Sequence, residues 1–213
     1  MKRLLTALLL LFVTTAFGQG KQKTHDYKTV DPAAWVIPNS GGVSYSLDSY
    51  KGSKALIIKK NFGDSKFGSV AYPKDLKFKD GVIEMDLASS NGQEFLGLAF
   101  RIKDAHHYQC LYFRPASTGT INAVQYMPEK KQEFNWWDYE AEKYQAKATL
   151  PATNWFHVKA EVKGQTLTVY IDQQPKPVMV YKALDPELKE GSVGYWFGNS
   201  SSCAYKNLTV KTY

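Results

Sequence analysis

The sequence predicts an all-β sandwich, and three observations predict it. Almost every patterned segment alternates apolar and polar residues with period two. Helical i, i+3, i+4 spacing is rare. Strand-like runs recur roughly every ten residues with turn residues between them, which is the spacing of an antiparallel sandwich.

Lys54–Lys60 (KALIIKK) reads as an early strand. Gly81–Leu87 places Ile83, Met85 and Leu87 on one face and Val82, Glu84 and Asp86 on the other. Phe95–Lys103 separates Leu96, Leu98, Phe100 and Ile102 from Phe95, Gly97, Ala99 and Arg101. Tyr108–Arg114 separates Leu111 and Phe113 from Cys110, Tyr112 and Arg114, and Asn122–Met127 sets Val124 and Tyr126 against Ala123 and Gln125. Trp155–Val162 turns Phe156, Val158, Ala160 and Val162 inward, with His157, Lys159 and Glu161 outward. Gly164-Gln165 then reverses the chain into Leu167–Asp172, and Ser192–Phe197 and Tyr205–Lys211 complete the pattern. Asp185–Lys189 is predicted as one short helical turn.

The N-terminus has a different grammar. Met1-Lys2-Arg3 precedes an apolar run from Leu4 to Val13 and small residues up to Gly18, which reads as a secretory signal over residues 1–18, cleaved after Gly18. A membrane span needs about 20 apolar residues, and none is seen elsewhere. With no internal repeat or linker, residues 19–213 are expected to form one exported domain, secreted or periplasmic and free of the membrane once the signal is cut. The formal net charge is +7, but the lysines are scattered (Lys21, Lys51, Lys77, Lys130, Lys163, Lys189), so nucleic acid is not an expected partner. Cys110 and Cys203 are either two buried free thiols or one disulfide, and no Cys/His spacing points to a metal.

Four segments carry a family likeness: FKDGVIEMDL (78–87), GLAFRIKDAHHYQCLYFRP (97–115), WFHVKAEVKGQTLTVYID (155–172) and GSVGYWFGNSSSCAYKNLTV (191–210). Together they resemble the concanavalin A-like lectin/glucanase superfamily, and most of all its laminin-G-like and keto-disaccharide-hydrolase-like exported bacterial members. The resemblance runs from about Val30 to the C-terminus. It implies a jelly-roll β-sandwich of two antiparallel sheets, with the ligand site on the concave one. It also admits a structural calcium, for which Asp31, Asp48 and Asp64 are donors that no spacing distinguishes. No other cofactor is implied.

The candidate site lies between Arg101 and Tyr139. If Leu98, Phe100, Leu111, Phe113 and Val124 face the core, then Gly97, Ala99, Arg101, Cys110, Tyr112, Arg114, Ala123 and Gln125 share the opposite face. Gly97, Ala99 and Ala123 leave a depression there, bordered by Arg101, Tyr112, Arg114 and Gln125 as directional hydrogen-bonding groups. Arginine presents a planar fork of donors that stays charged. Either the arginines meet a ligand, or they pair with Glu84, Asp86 or other cross-strand neighbours. The aromatic stretch Glu133–Glu140 adds Trp136, Trp137 and Tyr139, flat faces suited to stacking on a sugar ring or to anchoring a loop. Trp196 adds a further wall or joins the core.

Other titratable groups read as structural. Asp104–His107 is a hairpin turn, and adjacent histidines on a strand point apart, so His106 and His107 do not chelate together. Glu84 and Asp86 share one face about 7 Å apart and begin a glucanase-like E-x-D row. Ala88 or Ser89 stands where that row needs its last acid, so the two-carboxylate mechanism lacks a member. Cross-strand pairing with Lys or Arg is the expected role of Glu84 and Asp86. The sequence thus points to an exported, lectin-like carbohydrate-binding domain recognising a glycan (an oligo- or polysaccharide) on the concave face. One alternative is a hydrolase or lyase of keto-disaccharides or polysaccharides using Arg114, Gln125, Tyr126 and Tyr139. The other is a laminin-G-type adhesion domain.

Overall fold

The computed structural model describes residues 22–39, 42–60, 68–130, 141–198 and 202–213. Residues 1–18, expected as a secretory signal, and Asp64, Trp136, Trp137 and Tyr139 lie outside the described residues. In chain order the strands are β1 (Lys23–Tyr27), β2 (Trp35–Val36), β3 (Val43–Tyr50), β4 (Ser53–Lys60), β5 (Ser69–Pro73), β6 (Gly81–Ser89), β7 (Leu96–Asp104) and β8 (His107–Phe113). They continue with β9 (Val124–Lys130), β10 (Gln145–Ala146), β11 (Phe156–Lys163), β12 (Thr166–Ile171), β13 (Met179–Tyr181), β14 (Ser192–Phe197) and β15 (Ser202–Thr212).

They form two antiparallel sheets. One runs β13-β12-β11-β6-β15-β4-β3, with β1 also paired to β15; the other runs β10-β9-β8-β7-β14-β5-β2. The inward sets expected from alternation meet between them. Ile83, Met85 and Leu87 from β6 and Phe156, Val158, Ala160 and Val162 from β11 pack against Leu98, Phe100, Leu111, Phe113, Val124 and Tyr126. Phe113 and Phe156 meet edge to face at 5.5 Å across the sandwich. Each such buried ring contributes roughly 1.5–3 kcal/mol relative to exposure.

The two sheets differ on their outer faces. In β11 and β12 buried and half-exposed residues alternate, as in a sheet with one solvated side. Every residue of β14, and Leu96–Ile102 of β7, is buried. The outer face of the seven-stranded sheet therefore carries its own apolar cluster, of Val70, Ala99, Ile102, Tyr108, Cys110, Tyr112 and Trp196.

Arg101 overturns the alternation on which its assignment rested. Its φ is +52°, and the β7–β8 register shifts between Phe100 and Asp104. A bulge of this kind reverses the sidedness of the residues beyond it. Ile102 consequently joins Ala99 on the outer face, and Arg101 reaches instead to the end of the eight-stranded sheet. Its buried guanidinium donates from Nε to Lys79 O (2.9 Å) and from Nη2 to Gly164 O (2.7 Å) and Asp80 Oδ1 (3.1 Å). Expected at a ligand, Arg101 is a joint between the sheets.

The short helix expected at Asp185–Lys189 is also absent, for a related reason. Side chains from the seven-stranded sheet take up its backbone groups. Gln109 Nε2 donates to Leu188 O (2.6 Å), Asp185 N donates to Tyr126 Oη (3.0 Å), and Tyr126 donates to Gln109 Oε1 (2.8 Å). Asp185 Oδ1 accepts from Glu187 N at 2.8 Å, closing an Asx turn. The helical residues that do form among those described are a four-residue α1 (Ala141–Tyr144) and 3₁₀ turns at Pro115–Ser117 and Ile121–Ala123. Cys110 and Cys203 are buried and form no disulfide. Cys203, on β15 of the eight-stranded sheet, lies in the central core, whereas Cys110, on β8 of the seven-stranded sheet, lies in its outer cluster.

Removing the joint should be costly, because it takes the guanidinium donors from the backbone carbonyls of Lys79 and Gly164 at once and leaves Asp80 with Gly164 N, at 2.8 Å, in place of two partners. Arg101→Leu is expected to lower the unfolding free energy by about 3–5 kcal/mol. Urea denaturation at constant m-value is the measurement, and a loss under about 1 kcal/mol would mean that the guanidinium is solvated instead.

Candidate functional site

Directly opposed residues on neighbouring strands share a face. Register therefore traces one row across the seven-stranded sheet: Gln145 opposite Gln125, Gln125 opposite Tyr112, Tyr112 opposite Gly97, Gly97 opposite Trp196, and Trp196 opposite Val70. Gly97 has a definite task in it. With no side chain between them, the Tyr112 and Trp196 rings stack over it at 4.9 Å and 28°. A Cβ on Gly97 would come within 2.1 Å of Leu111 O, so β8 also needs a glycine there. Trp196 Nε1 donates to Tyr108 Oη at 3.2 Å, fixing the indole in its plane.

Two residues after Tyr112, Arg114 lies half-buried beside this row, its guanidinium 4.7 Å from the centre of the Phe95 ring. Phe95 is 6.1 Å from Tyr112. The structure thus brings together Arg114, Tyr112, Gln125 and Trp196, and it removes Arg101 from them. Ala123, expected in the floor of the depression, sits in a 3₁₀ turn and packs into the central core. Trp136, Trp137 and Tyr139 fall outside the described residues.

Gln125 and Gln145 are the distinctive pair. The side-chain Oε1 atoms of both are buried without a hydrogen-bond partner. A buried acceptor left unpaired costs about 1–3 kcal/mol, and here two sit on neighbouring strands. Gln145 has no legible signal in the sequence, because its strand is two residues long and only pairing with β9 places it.

Alternation places Tyr108 with Cys110 and Tyr112, so its position was legible; that of Glu129 was not. β9 continues past Met127 and Pro128 to Lys130, and Glu129 stands opposite Tyr108, 4% exposed. Proline is tolerated because, among the described residues, β9 beyond Gln125 pairs on one side only, with β8. Burial, then Cys110 and Glu129, push the Tyr108 hydroxyl well up, and burial followed by Glu129 does the same to the Cys110 thiol. A thiol held protonated is no nucleophile. Tyr126 lies on the inner face, its pKa raised far by burial. It is not available as a base at this surface.

Glu84 and Asp86 occupy the outer face of the other sheet. Their partner is His157 rather than Lys or Arg: Nδ1 lies 2.8 Å from Asp86 Oδ1, and Nε2 3.3 Å from Glu84 Oε2. Asn207 Nδ2 donates to Asp86 Oδ2 at 2.7 Å. One imidazole thus bridges both carboxylates, and neither is placed as a free acid or nucleophile. The hydrogen bond to Asp86 raises the His157 pKa most, against partial desolvation. Burial pushes Asp86 up, but the His157 and Asn207 hydrogen bonds outweigh it and leave it low. Among the described residues no group of three or more His, Cys, Asp and Glu is arranged to hold a metal ion. None of their helices is long and apolar enough to cross a membrane.

These two shifts give the cluster opposite pH dependences. A raised His157 stabilises the fold fully below its unfolded pKa, and that contribution fades as pH rises through the folded one. Asp86, held low, contributes above its unfolded pKa and is lost in acid as pH falls through its folded value. His157→Gln is expected to cost about 1 kcal/mol or less, because the cluster is partly exposed. In urea titrations the deficit should be largest near pH ~6 and shrink toward pH ~9.

No family model matches the sequence, and no curated protein matches it. Solved structures do. A CBM66 carbohydrate-binding module from Bacillus subtilis superposes with a TM-score of 0.55 at 16% identity, over 81% of this chain and 97% of that one. A Bacillus subtilis protein of unknown function with a galectin-like fold gives 0.58 at 12% identity, over 87% and 94%. A Bacillus licheniformis β-glucanase gives 0.50 at 9% identity, over 91% and 99%. At such identities the likeness establishes architecture alone. The two antiparallel sheets of this chain form a concanavalin A-like jelly roll.

Proposed function

We propose that this chain is an exported carbohydrate-binding domain that holds a glycan against the outer face of its seven-stranded sheet. The observation that carries the reading is the pair of buried, donor-less amide oxygens of Gln125 and Gln145. Gln125 stands opposite Tyr112 of the Tyr112–Trp196 stack, Gln145 stands opposite Gln125, and the half-buried Arg114 follows Tyr112 by two residues. Sugar hydroxyls are donors of the right kind for those oxygens, and an aromatic wall with directional polar groups is how proteins receive pyranose rings. Trp136, Trp137 and Tyr139 are assigned to the same site from their sequence.

Binding is favoured over hydrolysis by the carboxylates. A glycosidase needs two of them flanking the bond, about 5–9.5 Å apart. Among the described residues of this sheet, Glu129 is buried beside Tyr108, and Asp104 is tied to His106 and His107 at a hairpin tip. Glu84 and Asp86 are on the other sheet. The CBM66 module is named for carbohydrate binding and the glucanase for hydrolysis, so fold likeness by itself does not choose between them.

The test opposes stability to affinity. Gln125→Met and Gln145→Met remove an unpaired acceptor at nearly constant shape, so each should leave the free protein as stable or up to about 1–3 kcal/mol more stable. The same changes should weaken glycan binding about tenfold, and Arg114→Ala should weaken it as well. Glycan arrays followed by titration calorimetry read the affinities. If no polysaccharide binds, or if both Gln→Met variants bind as tightly as the parent, the assignment is wrong. Turnover of 3-keto-glycosides or uronate polymers would instead favour an enzyme. Export is tested by N-terminal sequencing of the released protein, which should begin at Gln19.

A further inference from the structure

The chain has three arginines. Arg3 falls among the residues expected as a signal, and Arg101 joins the sheets with Asp80 as its counter-charge. Arg114 is different. Its guanidinium makes no hydrogen bond or ion pair with any described residue, and its neighbour is the Phe95 ring. A ring face attracts the charge without neutralising it, so a half-buried cation is left with all its N–H donors unassigned. The backbone beneath it is nevertheless fixed. Arg114 N donates to Ala123 O and Arg114 O accepts from Ser117 N, each at 2.9 Å, and Pro115 starts a 3₁₀ turn directly after it.

The surroundings share one sign of charge. No Asp or Glu lies within two residues of Tyr112, Arg114, Gln125 or Gln145, whereas the exposed Lys143 and Lys147 flank Gln145. Glu94, next to Phe95, is turned to the other sheet, where its carboxylate accepts from Ser89 Oγ and, at 2.8 Å, from Ser90 Oγ. The open part of this region is its rim. Arg114, Phe95 and Gln145 are half-buried there, in front of the buried Tyr112, Trp196 and Gln125. Tyr112 opposes Gln125 and Arg114 bonds to Ala123, so Arg114 and Gln125 are diagonal neighbours, about 7–8 Å apart at the backbone. A fork of donors thus stands within one sugar ring's reach of amide oxygens that lack donors.

We propose that the glycan of this face is acidic, and that Arg114 receives the carboxylate of a uronic acid residue. This rests on the glycan-binding reading and narrows it to a substrate class. The two oxygens of a carboxylate match the planar guanidinium fork. The hydroxyls of the same ring supply the donors that the Gln125 and Gln145 oxygens lack. A neutral sugar meets the second demand and leaves the first unmet.

The probes are oligogalacturonate, oligomannuronate and oligosaccharides of glucuronoxylan, each titrated into the purified protein by calorimetry beside its carboxyl-reduced, neutral twin. At least one acid is expected to bind about tenfold more tightly than its twin, and to weaken as salt is raised toward ~1 M. Arg114→Gln should remove that preference, and Arg114→Lys should restore part of it, because lysine keeps the charge without the fork. Gln145→Met should weaken acid and twin alike and leave their ratio unchanged. Twins that bind as tightly as the acids overturn the acidic ligand and leave the glycan reading standing. Binding of neither an acid nor any neutral glycan overturns both. An acid preference that survives Arg114→Gln overturns the role of Arg114, and tighter binding of a sulfated galactan than of every uronate overturns the carboxylate.

Discussion

The Arg101 guanidinium joins four pieces of chain that are far apart in sequence: β7, the entry to β6 at Lys79 and Asp80, the β11–β12 turn at Gly164, and the segment around Leu188. A left-handed backbone at a non-glycine residue costs on the order of 1–2 kcal/mol. The hydrogen bonds it makes possible outweigh that cost, because a buried guanidinium with unpaired donors would cost far more. The bulge has a second consequence. By reversing sidedness after Phe100 it brings Ile102 to the outer face, beside Ala99 and Tyr108, and closes the end of the outer cluster.

That outer cluster separates this sheet from its partner. A sheet with one wet side alternates, and β11 and β12 of the eight-stranded sheet do. The seven-stranded sheet buries both sides, so its outer aromatic residues act as a second packed layer. Within that layer the Tyr112–Trp196 stack over Gly97 is held by Tyr108, and polar groups gather at its β9–β10 end. The buried amide oxygens of Gln125 and Gln145 are a local conflict in a well-paired sheet. Such conflicts are characteristic of functional surfaces, where the free protein tolerates a penalty that a ligand relieves.

The charged residues divide by sheet. Glu84, Asp86 and His157 form a cross-strand ionic cluster on the solvated face of the eight-stranded sheet, remote from the aromatic layer and internally satisfied.

Period-two alternation in the sequence determined the sandwich, its inner faces and nine of its strands to within a few residues, because burial of one face is a local demand that each strand meets by itself. It also determined that Tyr112, Arg114 and Gln125 share a face, since no bulge intervenes among them, but left Trp196 open between that face and the core until the β14–β7 register placed it opposite Gly97. Short pairings such as β2, β10 and β13 left no pattern to read. The place of Arg101 was decided by a single positive φ, that of Gln145 by pairing alone, and the fate of 185–189 by Gln109 and Tyr126 reaching in from another sheet. The His157 bridge between Glu84 and Asp86 likewise depends on the β6–β11 register. Alternation is local, whereas bulges, registers and hydrogen bonds between distant segments exist only once the two sheets have met.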